Sequence, residues 1–403
     1  MTMTARPNIL LVVFDSLSAQ DLTKHAGGLP TINALLRDSL TFTNAYTPSP
    51  ESGPARASLF TGLDMAAHGV WTDGVALPKR ERPLPEVFRE NGYHSWLVGR
   101  RQLAGLSNWT TEHARLLEYD HLDWAHGPLH RSRQNAYLTW LQQATPETCA
   151  QMFPRQANPD DTVVPDWQRE AMEALPDDLS FNSWIGQQVC SRINDGPFFG
   201  VVGFVVGQSM GSSGAPTEAV NPRALAQADA ALGVILQNLP DNTVIALTAG
   251  RGSVTNPATP LKECAIKVPL ALRIPNSAAQ TIQEPVSTMD VAPTLYALAG
   301  LRAPQRTQGQ CLTISEPRGW AFCRLRHPDQ PHQTALITER WKLVVTHDAS
   351  QTLQLFDLKA DPTEAHNCSA SPDHQGTIEH MLDQMIDSRV ALEDRTEPRI
   401  AKF

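Results

Sequence analysis

The chain has 403 residues, of which 41% are hydrophobic, and a formal net charge of −9. That is enough for one large core and a smaller appended unit. The acidic balance, with no Lys/Arg run, argues against nucleic acid and anionic membranes as partners, and no apolar stretch reaches the roughly 20 residues of a membrane span.

In chain order, Asn8–Phe14 is a short apolar run that reads as the first buried strand and not as a signal peptide. The extended run Leu40–Tyr46 leads to Ser52-Gly53-Pro54-Ala55-Arg56, where Pro54 suits the start of a helix. A helix over Pro83–Asn91 and a strand over Ser95–Val98 follow. The region from Thr145 to Leu179, rich in Pro, Asp and Gln, reads as a long loop or lid insertion. Beyond it the pattern predicts a helix over Ser180–Asn194, a strand over Phe198–Val206, and a helix over Pro222–Leu239 capped by Asn221. Strands at Thr243–Leu247 and Val268–Ile274 come next, then a helix from Thr288 that ends at Gly300.

Strands apolar on both sides and separated by helices predict an α/β fold, a large, mainly parallel sheet sandwiched by helices. After about Arg318 the texture changes to short strands at Trp320–Leu325, Thr334–Ile337, Leu343–Thr346 and Gln354–Leu358, with a helix over Thr377–Val390. This predicts a small antiparallel sheet plus helix, so that residues 1–318 form the main domain and 319–403 a subdomain. Six cysteines without C-x-x-C spacing point to reduced thiols and a cytoplasmic protein.

The candidate chemistry centres on Ser52. A hydroxyl at a helix start sits where unpaired N–H groups favour negative charge, and Arg56, one turn on, can aim its guanidinium at the same place. The competing role for Ser52 is that of an ordinary helix N-cap.

With its flanks Asn44-Ala45-Tyr46 and Ala57-Ser58-Leu59-Phe60-Thr61-Gly62, this segment resembles the C/S-x-P-x-R signature of the sulfatase family, in its serine form. Further segments resemble family motifs in the same order. Asn8–Ser16 is similar to the opening strand with its metal-binding aspartate, here Asp15. Lys267-Val268-Pro269-Leu270 is similar to R-V-P-L, and Met289–Leu295 to D-x-x-P-T-L. Leu355–Leu358 with Asp361-Pro362-Thr363-Glu364 is similar to the tail L-Y-D-L…D-P-x-E. The resemblance implies an alkaline-phosphatase-like fold and hydrolysis of sulfate monoesters. It further implies calcium as cofactor and a formylglycine made from Ser52.

The site residues depart from that pattern. Calcium takes about six oxygen ligands, several of them charged. Here Ser16 stands at the second aspartate position, and Gly250 and Arg251 replace the Asp and His/Asn of S-D-H/N-G. Arg100 keeps the cation of G-K-x-H, but Gln102 replaces its His, and Gln208 stands at the His of D-P-H. Glutamine carries no proton near neutral pH, so general acid catalysis is absent at both positions. Lys262 matches the second family lysine, His68 a position near the site, and His121 a substrate-facing loop, each against a plain structural or surface role.

Two readings follow. In the first, the protein is a degenerate homologue with no metal cofactor that binds a small anionic ligand, a sulfate-type ester or a protein partner, with Arg56, Arg100 and Arg251 as the anion-binding groups. In the second, it is an active hydrolase or transferase using Ser52, Arg56, Arg100 and Gln208, with calcium only if the metal site survives. Self-association or pairing with an active paralogue accompanies the first reading.

Overall fold

The computed structural model describes residues 6–100, 119–129, 134–153, 166–193, 196–207, 220–253, 259–348 and 351–392. Nine strands build the main sheet: β1 Asn8–Phe14, β2 Leu40–Tyr46, β3 His94–Gly99, β4 His121–Trp124, β5 Phe198–Phe204, β6 Thr243–Ala249, β7 Lys267–Arg273, β8 Gln280–Ile282 and β9 Val286–Ser287. Their order is β4-β3-β5-β1-β6-β7-β2-β8, with β9 also on β2. The strands from β4 to β6 are parallel, and β7 runs against both of its neighbours.

Every residue of β1 is buried, because both of its faces are covered. Leu10, Val12 and Phe14 pack towards the helices Phe181–Arg192 and Pro222–Asn238. Ile9, Leu11 and Val13 point the other way, into the layer that holds the helices Ser52–Thr61, Leu84–Glu90 and Val291–Leu298. The period of two thus divides one apolar run between two cores, each buried side chain contributing about 1.5–3 kcal/mol. β1 lies between β5 and β6, with Val13 level with both Gly203 and Thr248. Asn221 caps its helix, accepting from the N–H groups of Arg223 and Ala224.

One expectation fails. Between Thr145 and Leu179 the described residues form the helices Pro146–Met152 and Asp166–Glu173 in place of a long loop. Cys149, Met152 and Leu175 are buried in the main core.

The second sheet is the antiparallel meander β10 Trp320–Leu325, β11 His332–Thr338, β12 Trp341–His347 and β13 Leu353–Asp357. One face packs on Tyr46, Leu261 and Ile266 of the main body. The other carries the helix Gln375–Ala391 through Ile378, Met381 and Met385. A charge cluster pins the first face. Fully buried Lys342 lies 3.3 Å from Glu263 Oε1 and in contact with Glu364, and Tyr46 donates its hydroxyl to Glu263 Oε2 at 3.1 Å. Burial, with the Glu263 charge next, pushes the Tyr46 hydroxyl well above its usual pKa. Glu364, from the tail motif, also accepts from the Glu263 N–H at 2.7 Å.

Candidate functional site

β1, β3, β5 and β6 end at one level, and the residues that follow them meet there, at the edge where open α/β sheets bind ligands. Asp15 follows β1 and is 3% exposed. Its Oδ1 accepts from the Val206 N–H at 3.1 Å, and its Oδ2 accepts from Arg100 Nη1 at 2.6 Å. Arg100 follows β3 and gets this close because two glycines let the strand ends touch. Gly99 has φ +97°, and a Cβ there would lie 2.4 Å from the Gly203 carbonyl oxygen. A Cβ on Gly203 would lie 2.1 Å from the Arg100 carbonyl oxygen.

Arg56 is buried in the helix Ser52–Thr61 and donates from Nη1 to the Arg100 carbonyl at 3.2 Å. Gly250 follows β6. Its N–H donates to the Phe14 carbonyl, its own carbonyl accepts from Thr47 Oγ1, and a Cβ would stand 3.1 Å from Arg56 Nε. Arg251 is anchored by its carbonyl, which accepts from the Leu17 N–H at 3.0 Å. From there its Nε donates to Ser52 Oγ at 2.9 Å. Burial lowers the Arg251 pKa, the charges of Asp15 and Asp73 oppose that shift, and Arg100 adds to it. A guanidinium stays protonated under such shifts.

Ser52 is therefore not an N-cap. It lies inside the first helical turn, Glu51 holds the cap position without a capping side chain, and the N–H of Gly53 is taken at 2.5 Å by Asp73 Oδ1. Neither Glu51 nor Asp73 was singled out from the sequence. The turn Trp71-Thr72-Asp73-Gly74 is the one signal that could have pointed to Asp73, since Asp-Gly marks a tight reversal.

The remaining candidates scatter. His68, fully enclosed, accepts from the Val70 N–H through Nδ1 and lies 3.0 Å from Ser58 Oγ through Nε2. Burial pushes its pKa down to about 3, and its bonds are those of a structural histidine. His121 opens the edge strand β4, exposed and stacked edge-on against His94 at 5.0 Å. It is level with Trp96, Gly200 and Leu10 and so stands apart from the cluster around Asp15 at the strand ends. Lys262 is half-buried before the short helix Glu263–Ile266, its carbonyl accepting from Ala265. Gln102 and Gln208 lie outside the described residues. Ser52, Arg56, Arg100, Arg251 and Asp15 do come together.

The donor set does not fit calcium. Both Asp15 oxygens are engaged, Ser16 and Gly250 supply no carboxylate, and two guanidiniums border the position. Among the described residues no group of three or more His, Cys, Asp or Glu is placed to hold a metal ion.

Residues 7–204 match the family model for sulfatases, and residues 260–391 match that for the C-terminal part of N-sulphoglucosamine sulphohydrolase. This chain belongs to the sulfatase family. It is 24% identical to the uncharacterised sulfatase YidJ of Escherichia coli, over 90% of this chain and 83% of that protein. It is 23% identical to an ulvan-active sulfatase of Formosa agariphila, over 96% of this chain and 81% of that protein. Among solved structures, a phosphonate monoester hydrolase of Silicibacter pomeroyi superposes with a TM-score of 0.77 at 16% identity, covering 97% of this chain and 96% of that one. At that identity the likeness is one of fold. The second sulfatase model takes in β7, the meander and the helix Gln375–Ala391. No helix among the described residues is long and apolar enough to cross a membrane.

Proposed function

We propose that this sulfatase-family protein binds a sulfate-type oxyanion beside Ser52 through guanidinium groups, and that it does not carry out the family's calcium-dependent hydrolysis. The observation that carries this reading is the 2.9 Å bond from Arg251 Nε to Ser52 Oγ, made while Arg100 neutralises Asp15. A guanidinium clamps sulfate through paired N–H bonds, and the helix start adds a favourable field. Loss of the family histidines at Gln102 and Gln208 removes the acid that would protonate a leaving alcohol. A cytoplasmic setting belongs to the same reading, supported by six cysteines that form no disulfide. So does the division into a main domain of residues 1–318 and a subdomain of residues 319–403.

The test is calorimetric titration of inorganic sulfate into wild type and Arg251→Ala, with turnover of an aryl sulfate ester followed in parallel. Wild type binds sulfate, Arg251→Ala binds at least about tenfold more weakly, and neither turns over the ester. Calcium-stimulated turnover, or sulfate binding indifferent to Arg251, overturns the reading.

A second reading is favoured by the same Ser52 contact: the hydroxyl of Ser52, or of the hydrate of a formylglycine made from it, attacks a sulfate ester. An O–S bond forms as the S–O bond to the leaving alcohol breaks, and the nucleophile's proton has to reach that alcohol. Peptide mass spectrometry at Ser52 and ester turnover that disappears in Ser52→Ala decide for it.

A further inference from the structure

We infer that the Asp73 carboxylate is a built-in competitor for the oxyanion position beside Ser52, and hence a specificity-determining residue: a ligand anion enters only by displacing it. This rests on the oxyanion-binding reading above and adds to it an account of what guards the site.

The first N–H groups of a helix have no partner within the helix and form its positive end. In the helix Ser52–Thr61 the Gly53 N–H, next to the candidate nucleophile, is already bonded to an anion of the protein's own. Asp73 lies twenty residues further along the chain and places Oδ1 2.5 Å from that nitrogen. The approach depends on the missing side chain at Gly53, where a Cβ would lie 2.8 Å from the same oxygen. A carboxylate edge presents two oxygens much as one edge of a sulfate does, so Asp73 competes with a sulfate for the Gly53 N–H.

An ordinary helix cap comes from the N-cap residue itself. Here that residue is Glu51, and its side chain makes no capping bond. Glu51 instead accepts from Thr72 Oγ1 at 2.8 Å, and burial raises its pKa. Of the acids whose charge acts on Arg251, Asp15 is tied to Arg100, Glu51 is tied to Thr72, and Asp73 alone is solvent-exposed. Asp73 is thus the acid placed to leave.

Its carrier segment suits that movement. Trp71 is fixed under the Arg326 guanidinium, 4.7 Å from ring centroid to Cζ, and Thr72 is fixed by Glu51. Residues 73–76 beyond them are exposed, and Gly74 has φ +88°, a conformation that costs glycine little. Rotation of the exposed Asp73 side chain about its own Cα–Cβ bond swings the carboxylate off the helix start while both anchors stay in place.

The test compares sulfate affinity by calorimetry in wild type, Asp73→Asn, Asp73→Ser and Arg251→Ala, with melting curves for each. Asparagine keeps an oxygen for the Gly53 N–H but removes the charge, and serine removes the reach as well. The expected result is sulfate binding about tenfold tighter in Asp73→Asn than in wild type, the gain shrinking as sodium chloride is raised. Equal or weaker binding in both Asp73 variants, with Arg251→Ala still impaired, overturns the inference and leaves the oxyanion reading standing. Asp73 would then be a helix cap only. If neither wild type nor the Asp73 variants bind sulfate, the oxyanion reading falls, and the inference falls with it.

Discussion

Arg100 Nη1 lies 2.6 Å from Asp15 Oδ2, a contact that reaches across β5 from the end of β3 to the end of β1. The aspartate that the family resemblance assigns to a metal ion has instead a fixed cation of the protein's own. The consequences can be measured.

Arg100→Ala leaves Asp15 buried with the Val206 N–H as its remaining bond in this geometry. Breaking one side of a buried pair costs on the order of 3 kcal/mol, and urea denaturation should show a loss of that size. The neutral double variant Asp15→Asn with Arg100→Gln should recover most of it. A loss under about 1 kcal/mol in Arg100→Ala would mean that Arg251 takes over the carboxylate.

Excess calcium should leave the melting temperature of the wild type unchanged, because ligand binding would raise it. Gly250→Asp with Arg251→Asn should not be enough to create a calcium site. The new Cβ at residue 250 stands 3.1 Å from Arg56 Nε, so its carboxylate pairs with that guanidinium. Adding Arg100→Ala frees Asp15, and the triple variant is the one expected to gain a calcium-dependent shift.

His68 has a folded pKa near 3 against its ordinary 6.5, because burial disfavours the imidazolium. As pH falls, the unfolded chain takes up this proton first, so the stability from His68 is complete above about pH 6.5 and declines below it. At 1.36 kcal/mol per unit the full loss by pH 3 is on the order of 4 kcal/mol. His68→Gln keeps a donor near Ser58 but does not titrate. Its stability should fall less steeply between pH 6.5 and 4 than that of wild type, in matched denaturation series.

Lys342 is fully buried between Glu263 and Glu364. Lys342→Met leaves two carboxylates facing each other with Lys267 at 3.8 Å as the nearest remaining cation. A loss of about 3–5 kcal/mol is expected, read by thermal melting. Limited proteolysis should then cut first in the meander, whose attachment the lysine secures.

The central strands were legible because an apolar run without alternation has one economical home, between two helical layers; Asn8–Phe14 and Phe198–Phe204 show this directly. Between Thr145 and Leu179 composition misled. Pro146 stands at the start of a helix, where proline is well suited, and Cys149 and Met152, three apart, give that helix its buried side. At the site, convergence at the strand ends followed from topology, but the partner of Asp15 did not. Three arginines were candidates for the pocket, and it is Arg100 that bonds Asp15, a choice that depends on the close approach of Gly99 to Gly203. The Asp73–Gly53 contact depends on where a surface turn folds back: Asp73-Gly74 marks the reversal but not its destination.

The position of β1 also sets the timetable of biosynthesis. It is made well before the strands that flank it, for Ile9 is level with Phe199 on one side and Val244 on the other. At roughly 5–20 residues per second, both partners exist only some 10–50 seconds later. Through that interval a bare, seven-residue apolar strand with two open edges waits in the crowded cell. Nascent chains of this protein are therefore expected to lean on holding chaperones until β6 has been made, whatever chemistry the finished site performs.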